Sequence, residues 1–369
     1  MKGNTLFETI ELIKTLCKIP SPSNYEKEKA LFIKNWLENN NAKGVYIDDV
    51  YNVIYPINIK DAKSIDIFCA HTDTVFPDLI PFEVIQDDKY LYAPGIGDDT
   101  TCVAMLMMVS KYIANNKLKN IKPTLIVFNV CEEGLGNLKG IKEIIKTYKN
   151  KINQVISFDA QYSHIVNDCV GSERYEVVIK TKGGHSFRDF GNDNAIQVAS
   201  KLINDLYSLD VLNMQGTTTY NVGLINGGTS INTIAQQASF MYEYRSNSNI
   251  SLKDMEKIFY EKTNKTKSKN IEVIVNKIGS RPCKENVDEN KLKTLTNKIK
   301  TICKKHSNIE CLETAGSTDC NIPMSLGIPS VTVGCYLGDG EHTRQEKVLI
   351  DSIPIGLKIV SEIVLENFK

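Results

Sequence analysis

This chain has no surplus of either charge: lysine plus arginine and aspartate plus glutamate each number 44. A protein that gathers nucleic acid or an anionic membrane by its overall field needs a positive excess, so neither partner is expected. No apolar run is long enough to span a bilayer. The opening stretch, MKGNTLFETIELIKTLCKIPSPS, is apolar only at helical spacing and lacks a small-residue cleavage site, which predicts that it is not a signal peptide. Ten cysteines occur, but none in a closely paired CxxC spacing. That lack argues against a disulfide framework and for reduced, mostly buried thiols in a cytoplasmic protein. Internal repeats and low-complexity tracts are missing too.

What is present is ordinary for a soluble enzyme, with 42% apolar and 24% charged residues. At 369 residues the chain exceeds the size at which one core usually stops growing, so two domains are expected. Amphipathic helices are predicted at about 5 to 18 and 24 to 39. Apolar runs at SIDIFCAH, KPTLIVFNVCEE and NQVISFDA alternate with helical stretches, the pattern of an α/β layered domain. From about 171 the chain instead alternates polar and apolar residues, as in SERYEVVIKTKGG and SFMYEYRS. This reads as an inserted α+β domain, after which the helix and strand alternation resumes. The expected layout is a catalytic domain split between 1–171 and 282–369 around an insert at 172–281. Its sheet is expected to be mixed, mostly parallel, and sandwiched between helices.

Acidic groups and histidines collect where apolar runs end. The run FCAH closes on His71, with Asp73 two residues on, and a carboxylate beside a histidine is a common device for orienting a metal-binding imidazole. APGIGDDTTC delivers Asp98 and Asp99 to a helix start, where they read either as caps or as ligands. It is no dinucleotide fingerprint, because Thr100 stands where the last glycine would be needed. VFNVC leads into Glu132 and Glu133, ISFDA into Asp159, and PSVTVGCY into a Gly-rich loop with His342, one of only five histidines. Two histidines and several carboxylates at successive strand ends suit zinc or manganese. A pair of ions about 3.5 to 4 Å apart, bridged by a carboxylate, leaves room for a shared, activated hydroxide.

HTDTV, the GxGDD turn, CEEG, SFDA, GGHSF, STDCN and EHTRQE, in that order, resemble the co-catalytic zinc peptidases and amidohydrolases. That superfamily includes peptidase T, glutamate carboxypeptidase, aminoacylase, acetylornithine deacetylase and succinyl-diaminopimelate desuccinylase, and the segments CEEGLGNLKG and VGSERY look closest to peptidase T-like members. The resemblance implies two zinc ions, with cobalt or manganese as substitutes, and Asp98 as the bridge. His71 and Asp159 would complete one metal, and Glu133 and His342 the other. It makes Asp73 the group that orients His71 and Glu132 the general base. The insert becomes a lid that forms a homodimer. His185 would polarise the scissile carbonyl, and Arg245 and Asn232 would contact substrate. Where such members often carry DDKG or DMKG, this chain has DDTTC, which bears on substrate subtype.

The function this implies is hydrolysis of di- and tripeptides by an aminopeptidase-like exopeptidase. Removal of an acyl group from an N-acyl amino acid on the same site is the alternative. A catalytically silent metal-binding protein is a third possibility, against which Glu132 speaks. A cysteine hydrolase would have to use Cys131 or Cys320.

Overall fold

The computed structural model describes residues 3–369. The chain divides into two compact units, one formed by the segment up to Cys169 together with Lys284–Lys369, the other by Val170–Cys283.

The first unit is built on an eight-stranded sheet in the order Tyr46–Ile47, Val53–Ile57, Thr124–Asn129, Ile65–His71, Ile152–Phe158, Ser330–Val333, His164–Cys169 and Leu312–Gly316. The central strands run parallel: Ile65–His71 pairs with both Thr124–Asn129 and Ile152–Phe158, which in turn pairs with Ser330–Val333. Antiparallel pairs at Val53–Ile57 and between Ser330–Val333 and His164–Cys169 make the sheet mixed. Every residue of Ile65–His71, Thr124–Asn129 and Ser330–Val333 is buried, because helices cover both faces of a parallel sheet. Alternate side chains go to opposite sides. Phe68, Ala70, Ile126, Phe128, Ile156 and Phe158 join the core beneath helices Gly3–Cys17, Lys27–Asn39, Cys102–Asn115, Glu289–Ser307 and Ile353–Leu365. Ile67, Cys69, Leu125, Val127 and Val155 pack on the other side against Ile141, Ile144 and Ile145 of helix Lys139–Tyr148. All ten cysteines are buried thiols. Among the described residues no helix is long and apolar enough to cross a membrane.

The second unit is a four-stranded antiparallel sheet, ordered Thr218–Gly227, Gln237–Ser246, Gly171–Thr181 and Ile271–Arg281. Tyr175, Val177, Ile179, Phe240, Tyr242 and Tyr244 form one face and pack with residues of helices Ala195–Tyr207 and Asn249–Thr266. Asn194 and Ser248 cap those helices by accepting the N–H groups of Ile196 and Ser251. Thr218–Gly227 is an edge strand, and its Leu224 and Ile225 are each 51% exposed.

Candidate metal centre

Parallel strands leave their carboxyl ends at one edge of the sheet, where α/β enzymes assemble sites. Ile65–His71 ends there on His71, which is 1% exposed. Its N–H donates to Asp99 Oδ2 at 3.0 Å, and its Nε2 lies 3.0 Å from Asp98 Oδ1. Its Nδ1 lies 3.2 Å from the Asp73 carbonyl oxygen and 3.5 Å from Asp73 Oδ1.

Asp73 is wholly buried and links several parts of the site. Its Oδ1 accepts the N–H of Glu132 at 2.9 Å, and its Oδ2 accepts the N–H of Glu133 at 3.0 Å and the Ser23 hydroxyl at 2.6 Å. Burial alone would raise this carboxyl, but the bonds from His71 and Ser23 hold it below its ordinary range. One carboxylate therefore fixes both the imidazole and the acidic pair.

The strand before that pair is shorter than the apolar run VFNVC suggests. It stops at Asn129, and Cys131 takes a left-handed backbone (φ 60°) that turns the chain. Asp98 and Asp99 also differ from a helix start: both have non-helical backbone angles, and the regular helix begins at Cys102. They serve as partners of His71 rather than as caps. His342, too, does not directly follow its strand, which ends at Val333. It lies in a loop after the two-residue strand Gly338–Asp339, again with a left-handed backbone (φ 63°).

His342 Nε2 stands 3.0 Å from Asp98 Oδ2 and 3.3 Å from Glu133 Oε1. Asp98 thus presents one oxygen to each imidazole. The ligand atoms of His71, Asp98 and Glu133 all lie within 4.8 Å of one another. Asp159 follows directly on the strand Ile152–Phe158, its N–H bonded to Val333 O at 3.0 Å. Burial and then the Asp98 charge push the carboxyls of Glu133, to about 7, and of Asp159 upward; the charge of Glu132 adds to both. Glu133 Oε1 is buried without a hydrogen bond.

Carboxylates raised by their acidic neighbours, a buried Glu133 oxygen beside the His342 imidazole and two imidazoles on opposite oxygens of one carboxylate form a donor set that a cation pair would satisfy. The 3.0 Å separations fit it, since two donors about 2.0–2.1 Å from one tetrahedral zinc are about 3.3 Å apart.

In the second unit, the short ladder of Gly184–His185 with Thr233–Ile234 brings His185 and Asn232 together, with Ser186 N–H donating to Asn232 O at 3.0 Å. The N–H groups of Phe187 and Arg188 point at His185 Nδ1, at 3.2 and 3.4 Å. Nδ1 is therefore the acceptor and the ring proton belongs on Nε2. Arg245 is not brought to this place. It lies eight residues beyond Gln237 on the strand Gln237–Ser246, about 26 Å at the rise of a strand, and its guanidinium is paired with Glu243 at 3.0 Å.

Three contributors were not singled out from spacing. Ser23 stands outside every motif. Asp319, within STDCN, accepts Asn129 Nδ2 at 2.7 Å while its other oxygen is buried without a partner, and burial and the Glu132 charge raise it to about 7. Glu346 accepts backbone amides of the turn that carries Asp98.

Residues 67–366 match the sequence profile of peptidase family M20/M25/M40. Succinyl-diaminopimelate desuccinylase of Corynebacterium glutamicum is 26% identical over 248 residues, covering 65% of this chain and 66% of its own length, just short of two thirds. A tripeptidase from Staphylococcus aureus subsp. aureus Mu50 superposes with a TM-score of 0.74 at 22% identity, over 97% of each chain. A dinuclear metal-binding peptidase of the M20 family from Bacillus subtilis superposes with a TM-score of 0.67 at 16% identity, over 99% of each. At these identities the superpositions establish the fold.

Proposed function

We propose, from the premise that this chain belongs to peptidase family M20/M25/M40, that it is an aminopeptidase-like exopeptidase for di- and tripeptides. Two zinc ions would be held by His71, Asp98, Glu133, Asp159 and His342, with Asp98 shared. The observation that carries this reading is the placement of Asp98 between two imidazoles, at 3.0 Å from each. When bound, the ions polarise the scissile carbonyl and lower the pKa of the attacking water.

Glu132 takes the proton from that water and delivers it to the leaving nitrogen. Asp73 positions it, since the Glu132 N–H is bonded to Asp73 Oδ1. Glu132 is 6% exposed, so bulk water does not compete for the transferred proton. His185, with its proton on Nε2, donates to the carbonyl oxygen as charge develops there.

Arg245 and Asn232 bind the far end of the substrate. A single insert holds Arg245 far along a strand from His185 and Asn232, so we read these groups as serving the sites of different subunits in a homodimer. The exposed edge strand Thr218–Gly227, with Leu224 and Ile225, is the surface through which two inserts would pair. The tripeptidase neighbour supports the peptide reading. The desuccinylase relative supports the alternative, an N-acyl amino acid deacylase.

A panel of free-amino di- and tripeptides and their N-acylated counterparts tests the choice. Turnover of free-amino peptides is expected, lost with a chelator and restored by zinc, cobalt or manganese. Turnover of the acylated set alone would replace the peptidase reading with the deacylase one. Activity that survives chelation but is lost on thiol alkylation would point to Cys131 or Cys320 instead.

A further inference from the structure

Glu346 lies four residues beyond His342 and is 1% exposed. Its Oε1 accepts the amide N–H groups of Gly97 and Asp98, each at 2.8 Å, and its Oε2 accepts that of Gly95 at 2.8 Å. Three amides thus hydrogen-bond to this buried carboxylate. The carbonyl oxygen of Glu346 also accepts the N–H of Ala93 at 3.2 Å, and the strand that follows, Lys347–Leu349, pairs with Tyr90–Tyr92.

The same turn is also confined at its glycines. Gly95 is left-handed (φ +69°), and a Cβ there would lie 2.6 Å from the Thr74 methyl. At Gly97 a Cβ would lie 2.6 Å from the ring of the fully buried Tyr336. Asp98 is the last residue so held. Asp98 and His342 are 244 positions apart in sequence, yet a span of five residues, His342 to Glu346, ties one to the backbone of the other.

We propose that Glu346 is a positioning residue that sets Asp98 against His342, so that both oxygens of Asp98 face an imidazole before any ion is bound. The inference rests on the reading of Asp98 and His342 as metal ligands. Without the carboxylate, the Gly95–Asp98 turn loses three acceptors and Asp98 swings relative to His342. The ion that His342 helps to hold is then bound more weakly and in altered geometry.

Glu346→Gln tests this, because its amide puts a donor where one of the three N–H groups now finds an acceptor. Cobalt(II) titration of the metal-free protein is expected to show one ion bound about 10–100-fold more weakly, with a changed visible spectrum. In the loaded enzyme kcat falls while KM stays near its wild-type value. Glu346→Asp, which keeps the carboxylate, recovers part of the loss. Wild-type spectrum, affinities and kcat in Glu346→Gln would overturn the inference, as would a loss confined to thermal stability. A wild-type chain that binds no metal would instead overturn the reading of the site. If neither variant folds, amide hydrogen exchange of the wild-type chain over 95–98 decides: strong protection supports the clamp, and exchange at open-loop rates refutes it.

Discussion

Glu132 and Glu133 are adjacent, equally buried and anchored by the same aspartate, yet their surroundings separate them. Glu133 Oε1 is 3.3 Å from His342 Nε2, in the position of a ligand. The negative charge of Glu132 raises Glu133, Asp159 and Asp319 alike, so it stands among the acidic groups of the site, and in the proposed function it is the proton carrier. Glu132→Gln keeps the shape and removes the base. It is expected to retain both metals by elemental analysis while kcat falls about 10²–10⁴-fold; a near-wild-type rate would remove Glu132 from the mechanism. The acids that close apolar runs, Glu132, Glu133 and Asp159, were legible because a carboxylate at that point of an α/β pattern has little structural purpose. Glu346 closes the run EHTRQE, but its role was not legible there, since the backbone amides it accepts lie 248 to 251 positions away. Ser23 was hidden for the same reason: its partner, Asp73, lies 50 positions away.

Among the elements, the turn Gly95–Asp98 leaves little room beside its glycines. Tyr336 fills the space beside Gly97 and, at 0% exposure, has nowhere to rotate. Gly97→Ala must therefore displace the turn that carries Asp98. A displacement of about 1 Å is expected to lower kcat/KM about 10²-fold, with little change in far-ultraviolet circular dichroism; unchanged kcat/KM would show that the turn has slack. GDDTTC has the composition of a helix start, where Asp98 and Asp99 could be caps or ligands. Composition does not encode backbone geometry, such as the non-helical angles at Asp98 and Asp99 or the left-handed Cys131 just past the strand that stops at Asn129 within the run VFNVC. Hydropathy continues through Cys131, while the hydrogen-bonded ladder does not.

Across the whole molecule, the mixed α/β architecture was readable from the alternation of apolar runs with helical stretches, and the ordered motifs extended it to the family. The pairing of subunits depends on surface shape, on which periodicity is silent. If the inserts pair along Thr218–Gly227, then Ile225→Asp, a charge placed on a half-exposed edge position, is expected to convert a dimer to a monomer in sedimentation analysis. Activity should fall with it, because His185 and Asn232 would no longer reach a second site. A variant that sediments as a dimer would move the interface elsewhere.

The insertion of the Val170–Cys283 unit also affects the timing of synthesis. At about 5–20 residues per second, His342 leaves the ribosome about 12 to 50 seconds after Asp98, the two being 244 positions apart. During that interval the nascent chain carries His71 and Asp98, joined by Glu132, Glu133 and Asp159 as they emerge, without the imidazole that faces them, and for most of it without the strands Leu312–Gly316 and Ser330–Val333 of the same sheet. With the proposed ligands, loading of the metal centre would be deferred until translation has passed the insert and reached the loop of His342, and a chain stalled before that point would carry an incomplete ligand set.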